Sequence, residues 1–554
     1  MRASVRQKNL GAFYTPAPMA AALLDWAVRT PDDTVLDPSF GGLVFLREAN
    51  RRLAELGAES PETQIYGADV DSVVFRQAAP LATAGATLVR RDFLSVSPGG
   101  RVLPRATAVV GNPPYVRYQS LQASRQRGRV LASRKGVHLS RLASSWAPLL
   151  IHAADFVAPG GRLAQVLPAE LIHAQYADQI LDHICERFGR ASVVMFDEHV
   201  FPGAQEEVVL LCAEDRGNGS AAGIETLSFT NLDDLELPLR GAGSLRPARP
   251  HKLLAGLVDP ASIEVYDELV AGERTRLLGD LASVDIGAVT GANSFFVRSA
   301  EAMAEVPTEF LRQAVSKAAH IPGARLSRQD FRAMDERRLP TRMLVLDTDA
   351  WGTCSPSVRR LIEEGEHDGV HARYKCRIRD PWWALPSAQV RHPPALFLTY
   401  MSGAFPRLVA NEVGALSTNS VHGVRLYNGA DPRALAACFY TSLTMLSAEL
   451  VGRSYGGGVL KLEPTEAERL VLARPSPWHR SLLSEVDRLV RARHYDRLVT
   501  LVDQAILVED LGLAPDRVAL LRSAADRLRR RRLLRSGHRA ERGADLSQHA
   551  IQLQ

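Results

Sequence analysis

The chain has 554 residues, 46% of them hydrophobic and 23% charged, which excludes a disordered or fibrous polymer. At roughly 100–200 residues per domain it has room for two to four globular domains, each able to bury a core without disulfide staples. Lysine and arginine exceed aspartate and glutamate by 67 to 62, too small an excess to name a partner, so the placement of charge matters more. Arginine is dense around Arg125–Arg141 and again from Arg517 to Arg542.

The five cysteines (Cys185, Cys212, Cys354, Cys376, Cys438) form no C-x-x-C pair. They indicate no metal site and no disulfide framework, and suit a reducing cytoplasm. No apolar run of about 18 residues predicts a membrane span. Met1–Leu10 is polar and basic, unlike a secretory signal.

In chain order, Phe13-Tyr14-Thr15-Pro16 precedes an apolar helical stretch, Ala17–Val28. Thr15 reads as its N-cap and Pro16 as a first-turn residue, leaving a positive helix end that can hold a carboxylate. A strand over Thr34–Leu36 runs into Asp37-Pro38-Ser39-Phe40-Gly41-Gly42, followed by a helix over Val44–Leu56 that Gly57 is suited to end. Small residues in such a turn let backbone approach a ligand, and Asp37 is placed to accept from an ammonium group. A strand over Gln64–Tyr66 leads to Gly67-Ala68-Asp69-Val70-Asp71, where an acidic residue at a strand end suits a ribose diol. Asp69 is the first choice for that role, and Asp71 reads equally as a helix N-cap. After a strand over Ala86–Val89 comes Arg91-Asp92-Phe93-Leu94, either an adenine-binding pair (Asp92 on the amine, Phe93 on the ring) or a surface turn with one buried phenylalanine.

The strand Ala108–Val110 ends in Asn112-Pro113-Pro114-Tyr115. An exocyclic adenine amine is a poor nucleophile because its lone pair is delocalised into the ring. An Asn side-chain oxygen and a proline backbone carbonyl can accept its two hydrogens and free that lone pair. The prolines stiffen the loop, and Tyr115 offers a face on which an extruded base can stack. A helix over Ser144–Val157 and strands over Leu163–Val166, Ser192–Phe196 and Val208–Cys212 complete an alternating α/β pattern with a mainly parallel sheet.

In this order, the Y-T-P element, glycine turn, ribose acid, D-F-L and N-P-P-Y resemble the gamma class of amino-methyltransferases from restriction–modification systems. The resemblance is close over about residues 11–212 and looser over 280–475. It implies a Rossmann-like class I S-adenosylmethionine-dependent methyltransferase domain over 1–240, an α+β target-recognition domain over 250–475, and a helical arginine-rich region over 476–554. It further implies S-adenosylmethionine as cofactor, held by Tyr14, Thr15, Asp37, Ser39, Gly41, Asp69, Asp92 and Phe93. Double-stranded DNA is the implied substrate, with Asn112 and Pro113 on the target amine, Pro114 stiffening the loop, and Tyr115 and Phe201 (in Val200-Phe201-Pro202-Gly203) against a flipped adenine. A restriction or defence-system subunit is the implied partner, and no membrane is. The family usually reads D-P-x-C-G-x-G. Here Phe40 replaces the cysteine and Leu43 stands where a glycine is usual, which is expected to crowd the cofactor.

Further along, His371–Pro386 interleaves basic and aromatic residues and suits phosphate contact, with at least one of Trp382 and Trp383 expected in the core. Thr418–His422 and Gly456–Leu462 resemble elements of the family's recognition domains. The arginine helix Arg517–Arg535 reads as a phosphate binder, a solvated face or a docking surface. The Y-T-P element starts so early that no N-terminal nuclease is expected, and methylation rather than cleavage is the expected activity. Two other readings are a methyltransferase acting on a protein glutamine or an RNA base, and a non-catalytic DNA-binding subunit.

Overall fold

The structure, a computed structural model, describes residues 15–115, 122–140, 143–173, 176–198, 200, 207–219, 223–235, 244–245, 253–346, 351–352, 354–427, 429–455 and 458–534. It divides at Pro260–Ala261 into two compact units.

In the first unit, α1 (Ala17–Ala27) precedes β1 (Val35–Asp37), and α2 (Val44–Glu55) leads to β2 (Ile65–Asp69). Two short helices, α3 (Ser72–Gln77) and α4 (Ala79–Ala84), precede β3 (Thr87–Arg90) and β4 (Ala106–Gly111). Then come α5 (Gln122–Ser133), α6 (Trp146–Asp155), β5 (Val157–Pro168), α7 (Glu170–His173), α8 (Ala177–Cys185), β6 (Phe188–Phe196), β7 (Val208–Arg216), β8 (Glu225–Phe229) and β9 (Ser244–Leu245). The nine strands form one sheet in the order β3-β2-β1-β4-β5-β7-β6-β8-β9. The first five are parallel, and β7 runs antiparallel to both β5 and β6. This is the Rossmann-like class I arrangement that the resemblance implies.

The core follows from the sequence pattern. In α2, Leu46, Ala49 and Leu53 fall on one face and are fully buried, while Arg51 on the other face pairs with Glu48 and Glu55. Each buried leucine contributes roughly 1.5–3 kcal/mol, and each exposed i,i+3 or i,i+4 pair only about 0.2–0.5 kcal/mol. All three residues of β1 are buried, as a strand covered on both faces requires. The helix expected over Ser144–Val157 is shorter, because Val157 already belongs to β5. Strands β8 and β9 lie beyond the last strand that the sequence pattern predicts. They lie beside Gly/Ser-rich segments, and the boundary expected at 240–250 falls largely outside the described residues.

The second unit is α+β. A five-stranded sheet takes Ala282–Ile286, His422–Leu426, Leu396–Leu398, Leu408–Asn411 and Arg325–Leu326 in that order. A four-stranded sheet takes Val297–Arg298, Arg342–Leu344, Leu311–Val315 and Leu416–Ser417. One core gathers Phe295, Phe296, Met343 and Trp383, so one of the two tryptophans is core as expected. The described C-terminal helices, through Pro515–Leu534, belong to this same unit. The arginine helix is not simply a solvated face. It packs on Ser442–Val451, and Arg532 is 3% exposed with its guanidinium on the Glu449 carboxylate (2.7 Å) and on the Gly403 carbonyl (2.7 Å). Among the described residues no single helix is long and apolar enough to cross a membrane.

Candidate active site

The chain reverses direction across the sheet between β1 and β4, the adjacent central strands. In such sheets ligands bind beyond the carboxyl ends of the strands, at this switch point. Asp37 ends β1, Asp69 ends β2, Asp92 follows β3, and Asn112 follows β4. Four of the residues singled out from the sequence therefore converge on one edge.

Asp37 is 1% exposed. One carboxyl oxygen accepts from the Ser39 N–H (2.9 Å), and the other, Oδ2, is buried without a hydrogen-bond partner. Burial pushes its pKa up to about 8, against the pull of the Ser39 N–H and with a smaller push from the Asp69 charge. A buried carboxyl oxygen lacking a donor is suited to an ammonium group. Beside it the chain has no room for a side chain at Gly111, where a Cβ would lie 2.9 Å from the Asp37 carboxyl. The turn tightens through Gly41 (φ +39°). The ammonium end of a small ligand fits this acceptor.

Asp69 ties the turn to β2: its oxygens accept from the Gly41 N–H (2.9 Å) and the Asp71 N–H (2.7 Å). Burial raises its pKa. A carboxylate has about four lone-pair sites, so both oxygens keep capacity for a diol. Asp71 is the N-cap of α3, accepting from the Val73 N–H (2.8 Å).

The residues after β3 are more heavily committed than the sequence suggests. Asp92 caps the following turn through the Leu94 N–H (3.0 Å), and its second oxygen accepts from the Ser124 hydroxyl (2.8 Å) and Arg127 (2.7 Å) of α5. Phe93 is 3% exposed, packed on Phe156 (4.6 Å between centroids) and His152 (5.0 Å).

At the N-P-P-Y loop, the Asn112 amide nitrogen donates to the Thr15 hydroxyl (3.1 Å). This corrects the reading of Thr15 as a cap. The N-cap of α1 is Pro16, which makes no side-chain cap bond, and Thr15 is spent on the loop instead. The contact fixes the carboxamide with its nitrogen toward Thr15 and its oxygen on the opposite side. Pro113 is buried and the Pro114 carbonyl accepts from the Ser145 hydroxyl. The Tyr115 hydroxyl donates to the Val166 carbonyl of β5 (3.1 Å), pinning its ring. Ser144 and Trp146 both donate to Glu170 (2.6 and 2.9 Å), which anchors the start of α6 behind the loop. Ser145 carries no motif signal, and only the fold brings it to Pro114.

Leu43 adopts φ +65° and ψ 5°, the left-handed conformation that a glycine takes without cost. Its side chain is 5% exposed and belongs to the core with Phe45 and Leu46. The crowding expected of Leu43 thus gives way to a side chain turned into the core, at a backbone cost of about 1–2 kcal/mol. Phe40, also core, covers Gly67, where a Cβ would lie 2.7 Å from the ring. Tyr14 and Phe201 lie outside the described residues.

Two family models match the chain: "N-6 DNA Methylase" over residues 1–215 and "Type II methyltransferase M.Eco57I, C-terminal domain" over residues 250–507. Type II methyltransferase M.XamI of Xanthomonas campestris pv. amaranthicola is 26% identical over 497 residues, covering 84% of this chain and 85% of that protein. Type II methyltransferase M.PaeR7I of Pseudomonas aeruginosa is 24% identical, covering 85% and 88%. Among solved structures, the Type IIL restriction-modification enzyme MmeI in complex with DNA superposes with a TM-score of 0.57 at 12% identity, covering 93% of this chain and 75% of that one. The last likeness is one of fold.

Proposed function

We propose that this chain, which matches the "N-6 DNA Methylase" model over residues 1–215 and the "Type II methyltransferase M.Eco57I, C-terminal domain" model over residues 250–507, is a cytoplasmic, site-specific N6-adenine DNA methylase of restriction–modification type. It methylates the N6 amine of an adenine turned out of double-stranded DNA, beside a restriction or defence-system partner subunit. When bound, S-adenosylmethionine supplies a methyl group made electrophilic by the sulfonium and leaving a neutral thioether, so the amine needs no prior deprotonation.

The chain's own residues do the positioning. Asp37 would accept from the cofactor's ammonium group beside the Ser39–Gly41 turn, Asp69 would take the ribose diol, and the oxygen of Asp92 turned from α5 would take the adenine amine. Thr15, Tyr14 and Phe93 complete the set that the resemblance assigns. The Asn112 amide oxygen and the Pro113 carbonyl accept the two hydrogens of the target amine, drawing its lone pair out of the ring. Tyr115 and Phe201 stack on the base. Catalysis on this reading is positioning and electrostatics rather than acid–base chemistry.

The observation that carries the reading is the N-P-P-Y loop, clamped at the switch point by Thr15, Ser145 and Val166. The test expresses the chain in a host without adenine methylation and sequences that genome for N6-methyladenine, with Asn112→Ala alongside. One short motif modified by the wild type and unmodified by the variant is expected. An unmodified genome, with calorimetry showing that the wild type binds S-adenosylmethionine, moves the acceptor from DNA to RNA or protein.

A further inference from the structure

The two most exposed large hydrophobic side chains in the described chain are Tyr374 (66%) and Ile378 (60%). They lie four residues apart, at and just beyond the single helical turn Tyr374–Arg377, so they share a face. Neighbouring Arg373, Lys375 and Arg377 are exposed as well. Exposing two large apolar groups costs free energy, and an isolated mobile loop would fold them back. This turn is held from beneath. Cys376 is fully buried, and its thiol donates to the Thr290 carbonyl (3.6 Å). The Arg379 guanidinium donates to the carbonyls of Thr290 (2.9 Å) and Val289. Gly291 (φ +79°) brings its backbone so close that a Cβ there would meet the Cβ of Lys375 at 2.7 Å. Trp383 is buried alongside, and Trp382 packs on Phe295 while donating to Glu366 (3.0 Å). The turn is a rigid platform that presents an apolar pair inside a cationic frame.

We propose that Tyr374 and Ile378 form a wedge that enters a base step of duplex DNA, while Arg373, Lys375 and Arg377 seat the flanking phosphates. Apolar side chains that unstack a step are paired with cations in this way because the phosphates nearest the kink need neutralising. The partner is a polyanion with stackable faces, and a protein surface would use the apolar pair without needing three cations. The inference rests on the assignment of DNA as substrate and goes beyond it, since it concerns how the duplex is deformed rather than what is methylated.

The experiment uses the full chain and two 40-bp duplexes, one carrying the motif methylated in the host genome and one scrambled. Stacking is read from 2-aminopurine scanned through positions other than the target adenine, bending from energy transfer between end labels, and affinity as a function of salt. In Tyr374→Ala with Ile378→Ala, the 2-aminopurine signal and the bend on the motif duplex are expected to vanish and affinity to fall roughly tenfold. The salt slope should not change. In Arg373→Ala, Lys375→Ala and Arg377→Ala, each change should lower the salt slope by about one on both duplexes. An unchanged bend and unchanged stacking in the apolar variants overturn the wedge and leave this face to a protein partner. If the wild type methylates no motif, the functional reading fails by itself, and an unchanged salt slope on the scrambled duplex then overturns the phosphate seat as well.

Discussion

A carboxyl buried as deeply as Asp37 makes ligand capture depend on protons. Its folded pKa of about 8 stands far above the ordinary carboxyl value of 3.8. Between those limits the unfolded chain is ionised there and the folded one is not, so stability falls as pH rises from about 4 to about 8. An ammonium group delivered to the orphaned Oδ2 restores the charged form, and near pH 7 binding must then release up to about one proton. Calorimetric titration with S-adenosylmethionine in two buffers of different ionisation enthalpy reads this directly. The apparent enthalpies should differ for the wild type, and Asp37→Asn should bind weakly and lose the pH slope of stability. Equal enthalpies in both buffers would remove Asp37 from the ammonium site. At this scale much of the site was legible, because motif residues at strand ends depend on local sequence. Partners 30 to 100 residues away were not. Thr15 reads as a cap in the sequence yet serves Asn112, and nothing near Asp92 in the sequence points to Ser124 and Arg127.

Among the elements, β1 to β7 of the first unit are readable as apolar runs bounded by turns, while β8, β9 and the strands of the second unit, two to five residues long, carry too little alternation to stand out. The C-terminal arginine helix shows the limit of composition most clearly. Its charge suggests a surface binding phosphate, yet Arg529 lies over the Phe405 ring (4.3 Å) and Arg532 is buried against Glu449 and two backbone carbonyls. Only tertiary structure supplies those partners. Removing one member of a buried pair leaves the other charge unpaired, so Arg532→Ala should destabilise the second unit by roughly 3–5 kcal/mol in urea denaturation. Arg532→Met combined with Glu449→Leu should recover most of that loss, because the charge is gone from both sides and the volume is retained. It should fall short of the wild type, since the Gly403 and Gly458 carbonyls lose their donor. A double variant as unstable as the single one would mean that those carbonyls, rather than the ion pair, hold the helix.

For the molecule as a whole, two separate sets of buried hydrophobic residues, one built on the nine-stranded sheet and one around Phe296 and Trp383, give each unit its own source of cooperativity. A chain of this length is not expected to unfold in one all-or-none step. Ligands that touch one unit alone should therefore move one transition alone. S-adenosylmethionine at about 100 times its Kd should add roughly 2.7 kcal/mol to the transition of the first unit, and Arg532→Ala should lower the other. Differential scanning calorimetry on the full chain, with wild type and variant each scanned with and without cofactor, distinguishes the two assignments. Two transitions moved independently would place cofactor capture wholly within residues 15–235 and leave the second unit free to specialise in reading DNA. A single transition shifted by both changes would mean that the two cores unfold together, and that a substitution in the second unit can alter cofactor affinity without touching the site.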